Sequence, residues 1–265
     1  MLKDFLAHPL TRAYDIDDPH TSALRRHIIQ EKGFLRQIYQ EWYTSILEAI
    51  PQDNGPILEL GSGGGFLSDL IPGLITSEVF CCSNVSVVLD GCQLPFTDEA
   101  LRAIVMTNVF HHLQHPKRFL TEASRCIQKG GAVVMIEPWV SPWSRLVYSR
   151  LHHEPFHPEA PGWESPISGP LSGANGALPW IVFERDRAKF EQKYPEWKIQ
   201  KIKACMPFRY LISGGISLRS FMPRWLFGLW RYLENSLKPW MKTWAMFAKI
   251  ALVKVNTSES DIGKR

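Results

Sequence analysis

A glycine-rich turn interrupts the chain directly after a short apolar segment, within ILELGSGGGFLSDL at residues 57–70. Gly61, Gly63 and Gly65 permit positive backbone φ angles and let a ligand approach the main chain closely. The spacing does not fit the dinucleotide motif G-x-G-x-x-G, because Phe66 occupies the sixth position counted from Gly61. No Gly-Lys-Ser/Thr sequence ends the turn, which excludes a phosphate-binding P-loop. The turn therefore predicts a nucleotide-like ligand of another kind.

Acidic residues precede and follow this turn. Glu59 stands two residues before the first glycine, and Glu78 stands nineteen residues beyond Glu59. Asp90 lies in the segment VVLDGCQLPF. An ionised carboxylate can accept hydrogen bonds from two neighbouring hydroxyl groups. The alternative for Glu59 and Glu78 is a surface carboxylate at the end of a strand.

Four pieces in this order resemble the class I S-adenosylmethionine (SAM) dependent methyltransferases, and more narrowly the small-molecule group called methyltransferase type 11. They are LELGSGGG, Glu78 at its distance from the turn, VVLDGCQLPF, and MTNVFHHLQHPKRFLTEASRCIQKGGAVVMIEP. The resemblance covers about residues 55–138. It implies an α/β fold, a Rossmann-like three-layer α/β/α sandwich with a seven-stranded, mostly parallel sheet whose last strand is antiparallel. It also implies SAM as the cofactor.

The resemblance further implies which residues contact SAM. The glycine turn, with Ser62, would pass beneath the amino-acid part and the ribose, and Glu59 would bind the ammonium group. Glu78 would accept from the ribose hydroxyls, and Asp90 from the adenine amino group. The remaining implied contacts follow the third and fourth strands and are made by Gly91, Cys92, Asn108 and Val109.

One departure from the family pattern concerns the second and third strand candidates, Leu74 to Phe80 and Val85 to Asp90. About four residues separate them, whereas a parallel pair needs a crossover of about a dozen residues. Val85 to Asp90 is therefore expected to be a short extended run at the sheet edge, or the family's helix is missing there.

Histidines supply the candidate bases. If the acceptor is a hydroxyl group, a histidine can take its proton. His111 and His112 follow the fourth strand, and His153 lies in a later insertion; a packed, structural histidine is the alternative. The segment from His153 to His157 has the letters HExxH of a zinc site, but Pro155 argues against the helix that this motif needs. No metal is predicted.

The elements that must position these residues alternate between strand and helix. A helix is predicted from about Ser22 to Ile50, with a break or kink at Gly33. Residues 138–196, which hold nine prolines and four glycines, are expected to be an insertion over the acceptor site. Strand-like sequence returns at Trp197 to Cys205 and at 245–255. We expect one methyltransferase domain over residues 1–265, with a helical cap at about 20–50, a SAM-binding core at about 55–138, the insertion, and carboxy-terminal strands and helix at about 197–255.

Composition narrows the class of protein. Hydrophobic residues make up 45% and charged residues 21%, which excludes a disordered chain. No apolar stretch reaches the length of about 18 residues that a spanning helix needs. The amino terminus has no apolar core of signal-peptide length, and the five cysteines form no CxxC pair, so a cytoplasmic protein with reduced thiols is expected.

The carboxy-terminal third is basic. From Lys198 to Lys254 there are eleven Lys and Arg against one acidic residue, Glu234. The aromatic segment 223–237 could lie on a membrane surface, but a helix packed on the core or on a pocket wall is favoured. Several tryptophans in the insertion and near the end indicate an apolar or aromatic acceptor pocket. Nucleic acid is not an expected partner, because the residues from Asn108 to His111 lack the Asn/Asp-Pro-Pro-Tyr/Phe sequence of base methylation. The basic carboxy-terminal third leaves that alternative open.

The predicted function is SAM-dependent methyl transfer to a small, apolar or lipid-like acceptor, at oxygen rather than nitrogen or carbon. One alternative is a non-catalytic methyltransferase-like protein that binds SAM or a partner. Another is a nucleotide-dependent oxidoreductase on a related sheet.

Overall fold

The structure, a computed structural model, describes Asp18 and residues 20–82, 85–151, 154–164, 169, 173–220 and 222–255. Within these residues seven strands form one sheet in the order β3-β2-β1-β4-β5-β7-β6. They are β1 (Ile57–Glu59), β2 (Ile75–Glu78), β3 (Val87–Val88), β4 (Leu101–Thr107), β5 (Ile127–Pro138), β6 (Trp197–Cys205) and β7 (Phe247–Lys254). The first five pair in parallel, and β7 is antiparallel to both β5 and β6. The expected sheet, with its antiparallel last strand, is confirmed.

Helices lie on both sides of this sheet. They are α1 (His20–Glu31), α2 (Gly33–Leu47), α3 (Pro116–Cys126), α4 (Pro142–Leu151), α5 (Leu178–Trp180), α6 (Arg187–Lys193), α7 (Arg209–Ile212), α8 (Phe227–Ser236) and α9 (Met241–Trp244). Short 3₁₀ turns occur at Leu67–Asp69, Phe110–His112, Arg224–Leu226 and Lys238–Trp240, and a π-helical turn at Ile181–Arg185 joins α5 to α6. No described helix combines the length and apolar character needed to cross a bilayer.

Alternate side chains of the central strands enter two separate hydrophobic cores. On β4, Ile104 and Met106 face the core formed with α3 and the segment from α5 to α6. Ala103 and Val105 face the other core, which α2 dominates. Successive residues of a strand point to opposite faces, so this distribution is that of a three-layer sandwich.

The amino-terminal helix is broken, as Gly33 predicted. α1 ends at Glu31 and α2 begins at Gly33. After the glycine turn the chain forms only a single 3₁₀ turn, Leu67–Asp69. Pro72 and Gly73 stop it within one turn, because proline and glycine both disfavour helix continuation.

The edge strand is shorter than the predicted segment from Val85 to Asp90. β3 comprises Val87 and Val88 and pairs in parallel with the end of β2. The connection spans residues 79–86, of which 83 and 84 lie outside the described residues, and its described part contains no helix. A strand of two residues, each paired with a residue of β2, therefore forms this edge of the sheet.

The second half of the predicted insertion packs in the hydrophobic core. Ile181, Phe183 and Phe190 are fully buried against the sheet face that carries α3. Its first half reaches the site instead, through Leu151 and Phe156. Only part of the insertion therefore lines the cavity described below; that it covers an acceptor site stays a prediction.

Candidate active site

One cavity of about 760 Å³ opens at the carboxyl ends of β1, β2 and β4. Ligands of open α/β sheets bind outside these strand ends. The described residues predicted from the sequence all line it: Glu59, Gly61, Ser62, Gly63, Gly65, Glu78, Asp90, Gly91, Cys92, Asn108, Val109, His111 and His112. His153 lies outside the described residues.

The turn after β1 is crowded from two sides. Gly61 and Gly63 have φ angles of 66° and 44°, in the left-handed region that favours glycine. A Cβ atom on Gly61 would lie 2.5 Å from Cγ2 of Val109, and one on Gly64 would lie 2.5 Å from the backbone nitrogen of Arg26 in α1. The glycines thus let both α1 and the end of β4 approach the turn.

Glu59 is a buried carboxyl group at the end of β1, with 3% of the residue exposed. Burial raises its pKa to about 7, the nearby Glu78 acts in the same direction, and a hydrogen bond from Ser62 and the charge of Arg26 oppose it. A ligand cation beside Glu59 would favour the ionised form. The position therefore suits the ammonium group of an amino acid.

Glu78 ends β2 beside the glycine turn. Its Oε2 accepts from the backbone N–H of Val79 at 3.2 Å, and its Oε1 lies 3.2 Å from where a Cβ of Gly63 would be. Burial raises the pKa of Glu78 as well. Asp90, by contrast, is exposed, and its Oδ1 accepts from the backbone N–H of Cys92 at 2.8 Å. Asp90 therefore also closes its own turn.

Two polar atoms at the end of β4 are buried without a partner. Within the described part of the chain, Oγ1 of Thr107 and Oδ1 of Asn108 make no hydrogen bond. Asn108 also has a φ angle of 57°. Buried polar atoms are nearly always hydrogen-bonded. Since both residues line the cavity, these atoms mark where a bound molecule is expected to present donors.

A buried carboxylate fixes His111. Oε2 of Glu137 lies 2.7 Å from Nδ1 of His111, while its Oε1 accepts from the backbone N–H groups of Val109 and Phe110, both at 2.8 Å. Glu137 is fully buried at the end of β5. With Nδ1 engaged in this way, Nε2 is the ring nitrogen left for the cavity, where Oε2 of Glu154 lies 3.5 Å away.

The two carboxylates decide the charge of His111. Burial would lower its pKa, but the hydrogen bonds and charges of Glu137 and Glu154 outweigh this and raise it to about 9. The ring of His112 lies against that of His111, with centroids 4.1 Å apart. Donor atoms of His111, His112 and Glu154 lie within 4.8 Å of one another, a spacing that could hold a metal ion. The prediction that no metal is bound stays a prediction.

Sequence reasoning missed Glu137 and Glu154. A signal for Glu137 existed, because it is the single acidic residue of the apolar run AVVMIEP and ends a buried strand. Glu154 stood within the HExxH letters, but the motif was rejected as a zinc site and its carboxylate was not considered further.

Six aromatic side chains of the described residues line the cavity, and we call them the aromatic wall: Tyr39, Tyr43, Tyr148, Phe156, Tyr210 and Phe247. Tyr43 lies beside the glycine turn, where its hydroxyl oxygen accepts from the backbone N–H of Phe66 at 3.3 Å. Ring centroids lie 4.7 Å apart for Tyr148 and Phe156, and 4.9 Å apart for Tyr210 and Phe247. These rings are tyrosine and phenylalanine rather than the tryptophans expected from the sequence, and an aromatic acceptor pocket stays a prediction. Tryptophans pack elsewhere, for example Trp163, whose Nε1 donates to Asp186 at 2.8 Å.

The sequence supplies the deciding comparison. Residues 58–135, which hold the glycine turn and both histidines, match the sequence model of a family described as "Methyltransferase domain". This match supports a SAM-dependent methyltransferase of class I. The family model covers less than half of the chain. No curated protein sequence matches the chain.

Solved structures share the fold of this methyltransferase. A geranyl diphosphate methyltransferase in complex with SAM aligns with a TM-score of 0.50 and 12% identity, over 95% of this chain and 97% of that one. A SAM-dependent methyltransferase from Archaeoglobus fulgidus aligns with a TM-score of 0.50 and 14% identity, over 83% and 94% of the two chains. At these identities the likeness shows the fold alone.

Proposed function

We propose that this methyltransferase transfers a methyl group from SAM to a hydroxyl oxygen of a small, apolar or lipid-like acceptor. The observation that carries the proposal is the placement of His111. The histidine lines the same cavity as the glycine turn and the aromatic wall. A titratable side chain thus shares one cavity with the proposed cofactor residues and with apolar surface.

The residues of the cofactor end fit SAM, which supplies an activated methyl group on its sulfonium. Glu59, a buried carboxyl group with a raised pKa, would hold the ammonium group, and Glu78 the ribose hydroxyls. The unpartnered acceptors on Thr107 and Asn108 would receive donors of the ligand. Asp90, Gly91 and Cys92 line the same cavity where the adenine is expected.

His111 would act as the base. Glu137 accepts from Nδ1, so Nε2, which lies 3.5 Å from Oε2 of Glu154, is the nitrogen that would take the proton once the acceptor hydroxyl replaces that contact. The acceptor hydroxyl would lose its proton to Nε2 while its oxygen takes the methyl group, and the imidazolium formed would be stabilised by Glu137. Since the pKa of His111 is raised to about 9, the neutral ring is a minor form at pH 7. His112, with its ring against that of His111, would help to orient it.

The aromatic wall supports an apolar acceptor. Tyr39, Tyr148 and Tyr210 are buried or nearly so, and their rings present flat apolar surface. The proposal includes contact with a membrane surface through residues 223–237, where a lipid-like acceptor would be met.

The first experiment is calorimetric titration with SAM and S-adenosylhomocysteine, with NAD as the control ligand. Micromolar binding corresponds to roughly 8 kcal/mol. Glu78→Ala should weaken it at least about tenfold, since a hydrogen bond to a charged group contributes about 1.5–3 kcal/mol. Glu191→Ala, at an exposed glutamate of α6, should leave it unchanged. Folded protein that binds neither adenosyl ligand would overturn the cofactor assignment.

The second experiment identifies the acceptor atom. Apolar alcohols and phenols are incubated with SAM beside amines of the same skeleton, and methylated products are identified by mass and fragmentation. Methylation of the hydroxyl compounds is expected. Turnover of the amines alone would contradict oxygen as the acceptor.

A further inference from the structure

We propose that five exposed side chains near the carboxy terminus form a docking face for the surface of an anionic lipid bilayer. They are Trp225, Leu229, Tyr232, Leu233 and Trp240, with 78%, 54%, 73%, 43% and 57% of each residue exposed. We name this set the tryptophan face. The inference extends the proposed membrane contact by naming its side chains and the lipid charge.

Four of the five residues lie on the 3₁₀ turn Arg224–Leu226 and on α8, and Trp240 ends the 3₁₀ turn Lys238–Trp240 that follows. Within α8, Tyr232 and Leu233 lie three and four residues beyond Leu229, and such steps keep side chains on one helical side. The opposite side of α8 is fixed to the protein. Phe227 packs edge-on against Phe34 of α2 with ring centroids 5.3 Å apart, and Glu234 is buried. The helix is thus held in place with its apolar side outward.

Large exposed apolar side chains are common singly and rare in a contiguous set. Tryptophan and tyrosine are enriched where a membrane meets water, because one part of each ring system is apolar and another is polar. The tryptophan face lies on the outer surface of a helix. Such a surface suits a flat, deformable bilayer better than it suits a ligand that needs a groove.

Positive charge surrounds the face. Arg224, Arg231, Lys238 and Lys242 are all exposed. Residues 223–244 contain a single acidic residue, Glu234. That carboxylate is turned inward, where Oε2 accepts from Nε of Arg209 at 2.5 Å. The outward charge is therefore positive and complements the headgroups of anionic lipids.

The docking face is connected to the cover of the cavity. The side chain of Arg224 lies against Gly33, at the break between α1 and α2, where a Cβ atom would be 3.3 Å from Cδ of the arginine. At the same break, Nζ of Lys32 donates to the carbonyl oxygen of Gly215 at 2.7 Å. The segment that follows, residues 216–218, lines the cavity. A bilayer bound at the face would thus lie beside elements that enclose the acceptor site.

The test measures lipid binding without methyl transfer. The full chain is sedimented with phosphatidylcholine vesicles, and with vesicles that also contain phosphatidylglycerol, while tryptophan fluorescence is recorded. Binding at least tenfold stronger to the anionic vesicles is expected, with a blue shift of emission and weakening by salt. Equal binding to both vesicle types would overturn the role of lipid charge, and no binding to either would overturn the docking face.

Two variants separate the contributions. Trp225→Ser combined with Trp240→Ser should remove the blue shift and most binding, and Arg231→Gln combined with Lys238→Gln should remove the preference for anionic vesicles. Leu146→Ala, at an exposed leucine of α4, is the matched control and should bind as the wild type does. Equal loss in this control would contradict the assignment, and vesicle-independent association of the wild-type chain with itself would favour a protein interface instead.

A SAM titration of each variant keeps the two proposals apart. No residue of the tryptophan face lines the cavity, so its variants should retain SAM affinity within about twofold. Loss of SAM binding in the wild type with intact vesicle binding would remove the proposed function alone. Intact SAM binding without vesicle binding would remove this inference alone.

Discussion

The two ends of the cavity are built in different ways. The cofactor end uses backbone and short acidic side chains from one stretch of chain, with the glycine turn, Glu59 and Glu78 within twenty residues. The proposed acceptor end uses aromatic rings from distant segments, such as Tyr39, Tyr148 and Tyr210, which line the same cavity. A binding site made by neighbouring residues requires fixed spacings along the chain, and these can be recognised in a sequence. A wall made by residues that are far apart in sequence has no such fixed spacing.

The largest expected effect lies where the two ends meet. His111→Gln should lower kcat by about 10²- to 10⁴-fold, the usual contribution of a positioned base. Glutamine keeps a donor for Glu137 but cannot take a proton. SAM affinity, measured by calorimetry, should stay within about threefold, because His111 is assigned to the acceptor.

The pH profile of kcat provides the control for this prediction. Because Glu137 and Glu154 raise the pKa of His111 to about 9, the neutral form of the ring increases as pH rises, and kcat should increase up to about pH 9. Glu137→Gln should shift this profile to lower pH, since one anionic partner is lost. A rate independent of pH from 6 to 9 in the wild type, or an unchanged kcat in His111→Gln, would contradict the base role.

The next effect tests the cofactor end by steric means. Gly61→Ala should weaken SAM binding by about a hundredfold, or roughly 2.7 kcal/mol, because the new Cβ would lie 2.5 Å from Val109 at a φ angle of 66°. Gly73→Ala is the matched control: its φ angle is 75°, yet no atom lies within 4 Å of the new Cβ. If the two variants lose SAM affinity to the same extent, backbone strain rather than the close approach of Val109 sets the requirement for glycine.

The sequence predicted the cofactor end well because its signals are local. Strand, glycine turn and acidic strand ends occur at short spacings, and the sheet order follows from the alternation of strands and helices. Glu137 was missed because its partner is 26 residues away in sequence and only the pairing of β4 with β5 brings the two together. The tryptophans did not predict which residues line the cavity, since an aromatic side chain packs in a core as readily as it lines a pocket.

The outward face of α8 could not be predicted for a related reason. The apolar run at 223–237 does not say which side of the helix the protein covers. Phe227 and Trp230 lie on the packed side and Trp225 and Tyr232 on the exposed one, and all four are aromatic. Burial here is decided by long-range contacts with α2 and Phe208.

A smaller effect tests the charge at the cofactor end. Burial raises the pKa of Glu59 to about 7 in the ligand-free protein, and an ammonium group bound there would lower it. Binding then releases a proton, so SAM affinity should fall about tenfold per pH unit below pH 7 and level off above it. Glu59→Gln should bind SAM more weakly and lose this pH dependence. Calorimetry in two buffers of different ionisation enthalpy measures the released proton directly, and its absence at pH 6 would assign the ammonium group to another residue.

The smallest expected effect belongs to the aromatic wall, where many rings share the contact with the acceptor. Phe156→Leu should raise the KM for an apolar acceptor about three- to tenfold, because a leucine replaces part of the lost apolar surface and Tyr148, 4.7 Å away, remains. SAM affinity should not change. Leu151→Ala is a useful counterpart, since Leu151 lines the same cavity but is 55% exposed, and its KM effect should be smaller. If Phe156→Leu instead weakened SAM binding, the two ends of the cavity would be coupled, and the division between a locally encoded cofactor end and a packed acceptor end would fail.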